Sequence, residues 1–122
     1  MNRSAATPLT VERRPGRLGE PVVLEVSGEL VVTTWDTLAE AVRELMEAGE
    51  RRIILDLGSL SHIDTPGLAL LYRLHERLTT ADGTLAIVGL PERFADLIRH
   101  LRLHDLLRFR TSVEAALREF AG

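Results

Sequence analysis

Between Ser59 and Gly67 the chain sets two serines, a histidine, an aspartate and a threonine close together: Ser59, Ser61, His62, Asp64 and Thr65, followed at once by Pro66, Gly67 and Leu68. His62 and Asp64 form a His-x-Asp pair with hydroxyls beside it, the ingredients of acyl transfer. No Gly-x-Ser-x-Gly elbow occurs, and triad members normally come from separated segments, so a hydrolase lacks its framework here. Asp64 to Gly67 also reads as a helix start, with Thr65 as N-cap and Pro66 at the first helical position, where its missing N–H costs nothing. A helix start carries unpaired N–H groups and a partial positive charge of about half a unit, which suits an anion. Thr65 is therefore a candidate phospho-acceptor, and plain capping is the competing reading. A phosphate there would stand beside the Asp64 charge and would find one donor missing at Pro66.

His100 and His104 are four residues apart and would share a helix face if one helix ran through both, a spacing that can hold a metal ion. Neither a His-Glu-x-x-His pattern nor a third ligand accompanies them, so no metal is expected. The absence of cysteine excludes a disulfide framework, a thiolate nucleophile and Cys-based zinc sites. All 15 basic residues are Arg, which removes the P-loop lysine and Schiff-base chemistry. No Gly-rich dinucleotide fingerprint follows a strand, and no cofactor is expected. A net charge of -3 and dispersed aromatics (Trp35, Tyr72 and three Phe) give no footprint for nucleic acid. An enzyme is the least expected class, and protein or small-molecule partners are favoured.

These side chains need a framework to position them. At 122 residues, 45% hydrophobic and 27% charged, the chain fits one soluble globular domain. No apolar run approaches the roughly 18 to 20 residues of a membrane span, so no direct membrane insertion is expected. Met1 to Thr10 lacks the apolar block of a signal peptide, so a cytoplasmic location is expected. Residues 1 to about 8 read as a flexible leader and residues 9–122 as a single domain. Leu9 to Arg14 and Pro21 to Ser27 read as an antiparallel hairpin. A helix starts at Thr33 or Thr34, with capping-box-like spacing from Thr33 to Asp36. It buries Trp35, Leu38, Val42, Leu45 and Met46 and stops at Gly49.

Ile53 to Leu57 is continuously apolar, as in a strand covered on both faces, and predicts the centre of the sheet. A loop from Gly58 to Asp64 leads into the second helix, which buries Leu68, Leu71, Leu74 and Leu78. It exposes Ala69, Tyr72, Arg73 and Glu76 as a possible partner surface. Asp82-Gly83 ends it and Thr84 to Val88 forms another strand. Pro91 and Glu92 open a third helix with the stripe Phe94, Leu97, Ile98 and Leu101. A short strand at Leu107 to Phe109 and a last helix, signalled by Thr111 and Glu114 and burying Val113, Leu117 and Phe120, follow. The order predicts an α/β fold with a mixed, mostly parallel sheet of four to five strands, an N-terminal antiparallel hairpin and about four helices. Ligands of such sheets gather at the carboxyl ends of the strands, where Asp64 to Gly67 lies.

The stretch IILDLGSLSHIDTPGLALLYRL, Ile53 to Leu74, resembles the centre of STAS domains, the fold of bacterial anti-sigma factor antagonists. Gly28-Glu29-Leu30 resembles the Gly-Glu-Leu-Asp motif at the end of the family's second strand, and Phe94 to Ala116 is similar to its C-terminal half. The resemblance implies partner switching: the unmodified protein binds an anti-sigma factor of histidine-kinase-like ATPase type, and phosphorylation by that serine kinase ends the interaction. It implies a partner-binding face of Thr33, Thr34, Ser61, His62 and Asp64 to Ala69, with Tyr72 and Arg73 on the following turn. Family members read Asp-Ser-Ser-Gly where this chain has Asp64-Thr65-Pro66-Gly67, so Pro66 stands at the usual acceptor position and Thr65 matches the first Ser. Val31 replaces the Asp of the other motif. Asp-Thr-x-Gly-Leu-Ala-Leu-Leu is also similar to the STAS subunit of phospholipid-transport ABC complexes, which implies the alternative of docking on an ABC ATPase subunit.

Overall fold

A computed structural model describes residues 8–121, so the leader expected over the first eight residues lies outside the described residues except for Pro8. The elements are β1 (Thr10–Arg13), β2 (Val22–Leu30), α1 (Trp35–Glu47), β3 (Arg52–Ile63), α2 (Thr65–Thr80), β4 (Thr84–Val88), a 3-10 turn (Glu92–Phe94), α3 (Ala95–His100), β5 (Arg108–Arg110) and α4 (Val113–Ala121). The sheet order is β1-β2-β3-β4-β5. β1 pairs antiparallel with β2, and every other pairing is parallel. The expected hairpin, mixed sheet and four helices are all present, and the apolar run at Ile53 lies in the central strand.

Alternation along the strands splits the core into two layers. Val22, Leu24, Ile53, Leu55, Leu57, Leu85 and Ile87 face the larger layer, which holds Leu38 and Val42 of α1 and Leu68, Leu71 and Leu78 of α2. Val23, Ile54, Ala86 and Val88 face the smaller layer, closed by Val113 and Ala116 of α4 with Leu117 and Phe120 packed against it. Ile53, Ile54 and Leu55 are all fully buried because helices cover both faces of β3 there.

Four sequence expectations are corrected. The Gly58 to Asp64 loop is instead the second half of β3, which pairs with an extended β2 through Ser27 with Ser59, Gly28 with Leu60 and Leu30 with Ile63. Register shifts between Glu25 and Ser27 and between Gly28 and Glu29 break the alternation, so the buried residues Leu57, Leu60 and Ile63 recur every third position and do not read as a strand. The third helix ends at His100, so His100 and His104 do not lie on one helix face. The last strand is Arg108–Arg110, one residue later than expected. The α4 cap is Ser112, whose Oγ accepts from the Ala115 N–H at 3.1 Å, in place of Thr111.

α1, α2 and α3 end in the same way. Beyond α1, Glu50 N–H donates to Leu45 O and Gly49 N–H to Met46 O, with Gly49 at φ 94°. The equivalent left-handed residues are Asp82 after α2 (φ 62°) and Arg102 after α3 (φ 60°). Among the described residues no helix is long and apolar enough to cross a membrane.

Candidate functional site

The site lies where β3 ends and α2 begins, and Asp64 holds it together. Asp64 is the N-cap of α2: its Oδ1 accepts from the Gly67 N–H at 2.8 Å. Its Oδ2 accepts from the Val32 N–H at 2.9 Å, tying the turn after β2 to the helix start. The expectation of Thr65 as N-cap is therefore corrected: Thr65 is the first helical residue and Pro66 the second. An aspartate caps as well as a threonine does, and its second oxygen can reach a second segment. Thr65 and Pro66 are left exposed.

Gly67 allows the close approach behind this clamp. A Cβ built on it would lie 2.2 Å from Leu30 O, so any side chain would push α2 off the end of β2. The Asp64 N–H also donates to Leu30 O at 3.3 Å. Leu68 is fully buried and Gly67 is buried, whereas Thr65, Pro66 and Ala69 of the expected binding set are exposed.

Thr34 precedes α1, but its hydroxyl caps no helix N–H. Its Oγ1 accepts from the Val31 N–H at 3.0 Å and donates to Glu29 O at 2.6 Å, closing the turn between β2 and α1. The expected capping spacing from Thr33 to Asp36 is thus replaced by an internal turn, and of the two threonines Thr33 is the exposed one. The Ser61 Oγ donates to Gly28 O at 3.1 Å across the β2–β3 pair. His62 lies edge-on to Phe94 with ring centroids 6.4 Å apart, while both Asp64 oxygens are taken by backbone N–H groups. The His62–Asp64 dyad considered for acyl transfer is therefore not assembled.

Sequence reasoning missed two contributors. Arg93 donates from Nη2 to Leu60 O at 3.1 Å and to Ser61 O at 3.0 Å while lying over the Phe94 ring at 4.6 Å, so it pins the last turn of strand before the site. Nothing in its local sequence marks it, because both its partners are backbone carbonyls 32 or 33 residues away. The second is the segment after α3. Leu101, Leu103 and Leu106 face Thr65, Ala69, Tyr72 and Arg73 across an apolar groove of about 370 Å³. The signal was present as more leucines between Leu101 and Leu107 than one helical stripe can bury.

The α2 wall is the one expected from helical spacing. Ala69 and Arg73 are exposed and Tyr72 is half-buried. The Arg73 guanidinium sits 5.3 Å from the centroid of the Trp35 ring, linking α2 to the first residue of α1. The Glu76 carboxylate one turn on raises the Tyr72 hydroxyl above its ordinary pKa, so Tyr72 remains a neutral donor. The result is an exposed face formed by Thr65, Pro66, Ala69 and Arg73, with Tyr72 half-buried beside it.

The model of the STAS domain matches residues 9–116. The chain belongs to the STAS family. This STAS domain is 31% identical over 91 residues to the anti-sigma-B factor antagonist of Staphylococcus aureus, an alignment covering 75% of this chain and 84% of that protein. Its fold is similar to that of an anti-sigma factor antagonist from Mycobacterium paratuberculosis, with a TM-score of 0.81 and 18% identity, covering 93% of this chain and 95% of that one. It is also similar to the Bacillus cell fate determinant SpoIIAA in its phosphorylated form, with a TM-score of 0.67 and 19% identity, covering 89% and 98%. At these identities the two structures show the fold alone. In this STAS domain the Gly28-Glu29-Leu30 motif closes β2, as the resemblance implied, and Leu30 is the residue against which the α2 start is set.

Proposed function

We propose that this STAS domain is an anti-sigma factor antagonist that works by binding in the cytoplasm and catalyses no reaction. The observation that carries this reading is the 31% identity over most of the length of the Staphylococcus aureus anti-sigma-B factor antagonist. The partner is an anti-sigma factor of histidine-kinase-like ATPase type. It docks on the exposed residues Thr33, Thr65, Pro66, Ala69 and Arg73, with Tyr72 at the edge, and the sigma factor it held is released.

Thr65 is the acceptor through which the partner would end the interaction. Pro66 has no hydroxyl, whereas the Thr65 hydroxyl is relieved of capping by Asp64 and stands exposed. A phosphate on Thr65 would find the Gly67 N–H already bonded to Asp64 and no N–H at Pro66, so it would gain little from the helix start. It would add a charge of about −1.5 to −2 beside the Asp64 carboxylate, on the surface the partner must cover. The test is calorimetric titration with an anti-sigma factor of histidine-kinase-like ATPase type from the same organism. Thr65→Glu should weaken binding by about tenfold or more and Thr65→Ala by little. Equal affinity for wild type and Thr65→Glu would overturn the surface assignment, and incubation with partner and ATP that adds no phosphate by intact mass would overturn Thr65 as acceptor.

A further inference from the structure

The apolar groove between α2 and the segment after α3 adjoins the exposed turn and shares Thr65 with it, and its chemistry specifies what fills it. Ala69 and Tyr72 form one wall and Leu101, Leu103 and Leu106 the other. Leu106 is 47% exposed, one of three large apolar side chains so exposed among the described residues. Arg73 is the single charged residue on the lining, and it stacks on Trp35 without an ion pair among the described residues. Arg102, held at φ 60° between Leu101 and Leu103, is exposed and likewise forms no ion pair among them. The groove is thus an apolar slot with Arg73 in its wall, Arg102 beside it, and the exposed carboxylates Glu76 and Asp105 at its margins.

We infer that this groove receives a short amphipathic helix of the protein partner, its apolar side chains against Leu106 and Tyr72 and a carboxylate against Arg73; this rests on the partner-binding reading above. No strand lines the groove, so no row of free backbone donors and acceptors is available for an added strand, and recognition falls to side chains, the situation of a helix laid in a groove. A second copy fits poorly. In a two-fold pair each copy presents the same patch, which brings Arg73 of one toward Arg73 of the other. A stable pair also needs about 800 Å² buried per partner, and Leu106 is the sole strongly exposed large apolar residue on this lining. An acidic partner helix satisfies both the slot and the unpaired guanidinium.

The experiment titrates an anti-sigma factor of histidine-kinase-like ATPase type with wild-type protein and with Leu106→Glu, Arg73→Glu and Thr33→Glu, Thr33 being an exposed docking residue off the groove, each checked for wild-type thermal unfolding. Both groove variants should lose about tenfold or more in affinity. Arg73→Glu should be rescued by reversing one partner carboxylate to Arg. If Thr33→Glu weakens binding while Leu106→Glu does not, the groove assignment fails and the function stands. If none of the three weakens binding, the docking face itself is wrong. Sedimentation showing a wild-type dimer that Leu106→Glu makes monomeric would give the groove to a second copy. Flotation with phosphatidylglycerol vesicles lost in Leu106→Glu would give it to lipid. Either result overturns the partner helix.

Discussion

The Asp64 carboxylate accepts from the backbone N–H of Val32, 32 residues earlier, at 2.9 Å, while its other oxygen caps α2 through Gly67. One side chain therefore joins the exit of β2 to the entry of α2. Asp64→Ala removes both bonds and should lower the unfolding free energy by about 2 kcal/mol. Asp64→Asn keeps one acceptor, and its amide nitrogen cannot accept from an N–H, so it should cost about half as much. Urea unfolding monitored by circular dichroism checks both. An Asp64→Asn variant as stable as wild type would show that the second carboxylate bond contributes nothing.

Gly67 is demanded by space. Its Cβ would meet Leu30 O at 2.2 Å, and a backbone carbonyl cannot swing away as a side chain can. Gly67→Ala should destabilise by about 2–3 kcal/mol and weaken partner binding as well, because α2 must shift. Gly16→Ala, whose Cβ would meet Glu20 Oε1 at an ordinary 3.6 Å, should change stability by less than about 0.5 kcal/mol. Unfolding midpoints of the two variants compared with wild type decide the point.

Arg102 holds a left-handed backbone that favours glycine. The cost for an L-residue there is about 1–2 kcal/mol, partly offset by the greater entropy glycine loses on folding. Arg102→Gly should therefore raise stability by about 0.5–1 kcal/mol, seen as a higher urea midpoint. A fall in the midpoint would mean that the Arg102 side chain contributes more than the backbone costs.

Arg110 pairs with Glu119 through two bonds of 2.8 and 2.9 Å, joining β5 to α4, and holds the Glu119 carboxyl below its ordinary pKa of 4.5. A carboxyl lowered in the folded state contributes stability that is complete above its unfolded pKa and is lost as pH falls through the folded value. Unfolding midpoints should therefore decline below about pH 4.5, and Arg110→Gln should flatten the part of that decline due to Glu119. An unchanged acid limb in Arg110→Gln would remove the pair from the acid response.

Much of the fold was legible because local chemistry and tertiary structure agree. The apolar run Ile53 to Leu57 reads as a doubly covered strand, and it is one; the α2 stripe of Leu68, Leu71, Leu74 and Leu78 is buried as its spacing requires. What misread was the choice between adjacent capping residues and the strand segment whose partner lies far away in the chain. Thr65, Thr33 and Thr111 are each reasonable caps by spacing, yet Asp64, the Thr34 turn and Ser112 hold those places. Ser59 to His62 reads as a loop because its burial pattern depends on bulges set by β2.

By itself the sequence determined the order of elements, the exposed face of α2 and the presence of Thr65 with Pro66 at the turn, since these follow from periodicity and residue type within a few positions. Only the tertiary structure decided that Asp64 clamps Val32, that Gly67 is set against Leu30 and that Leu106 stands across a groove from Tyr72. Each of these depends on segments separated in the chain and brought together by sheet pairing and packing, which no local pattern encodes.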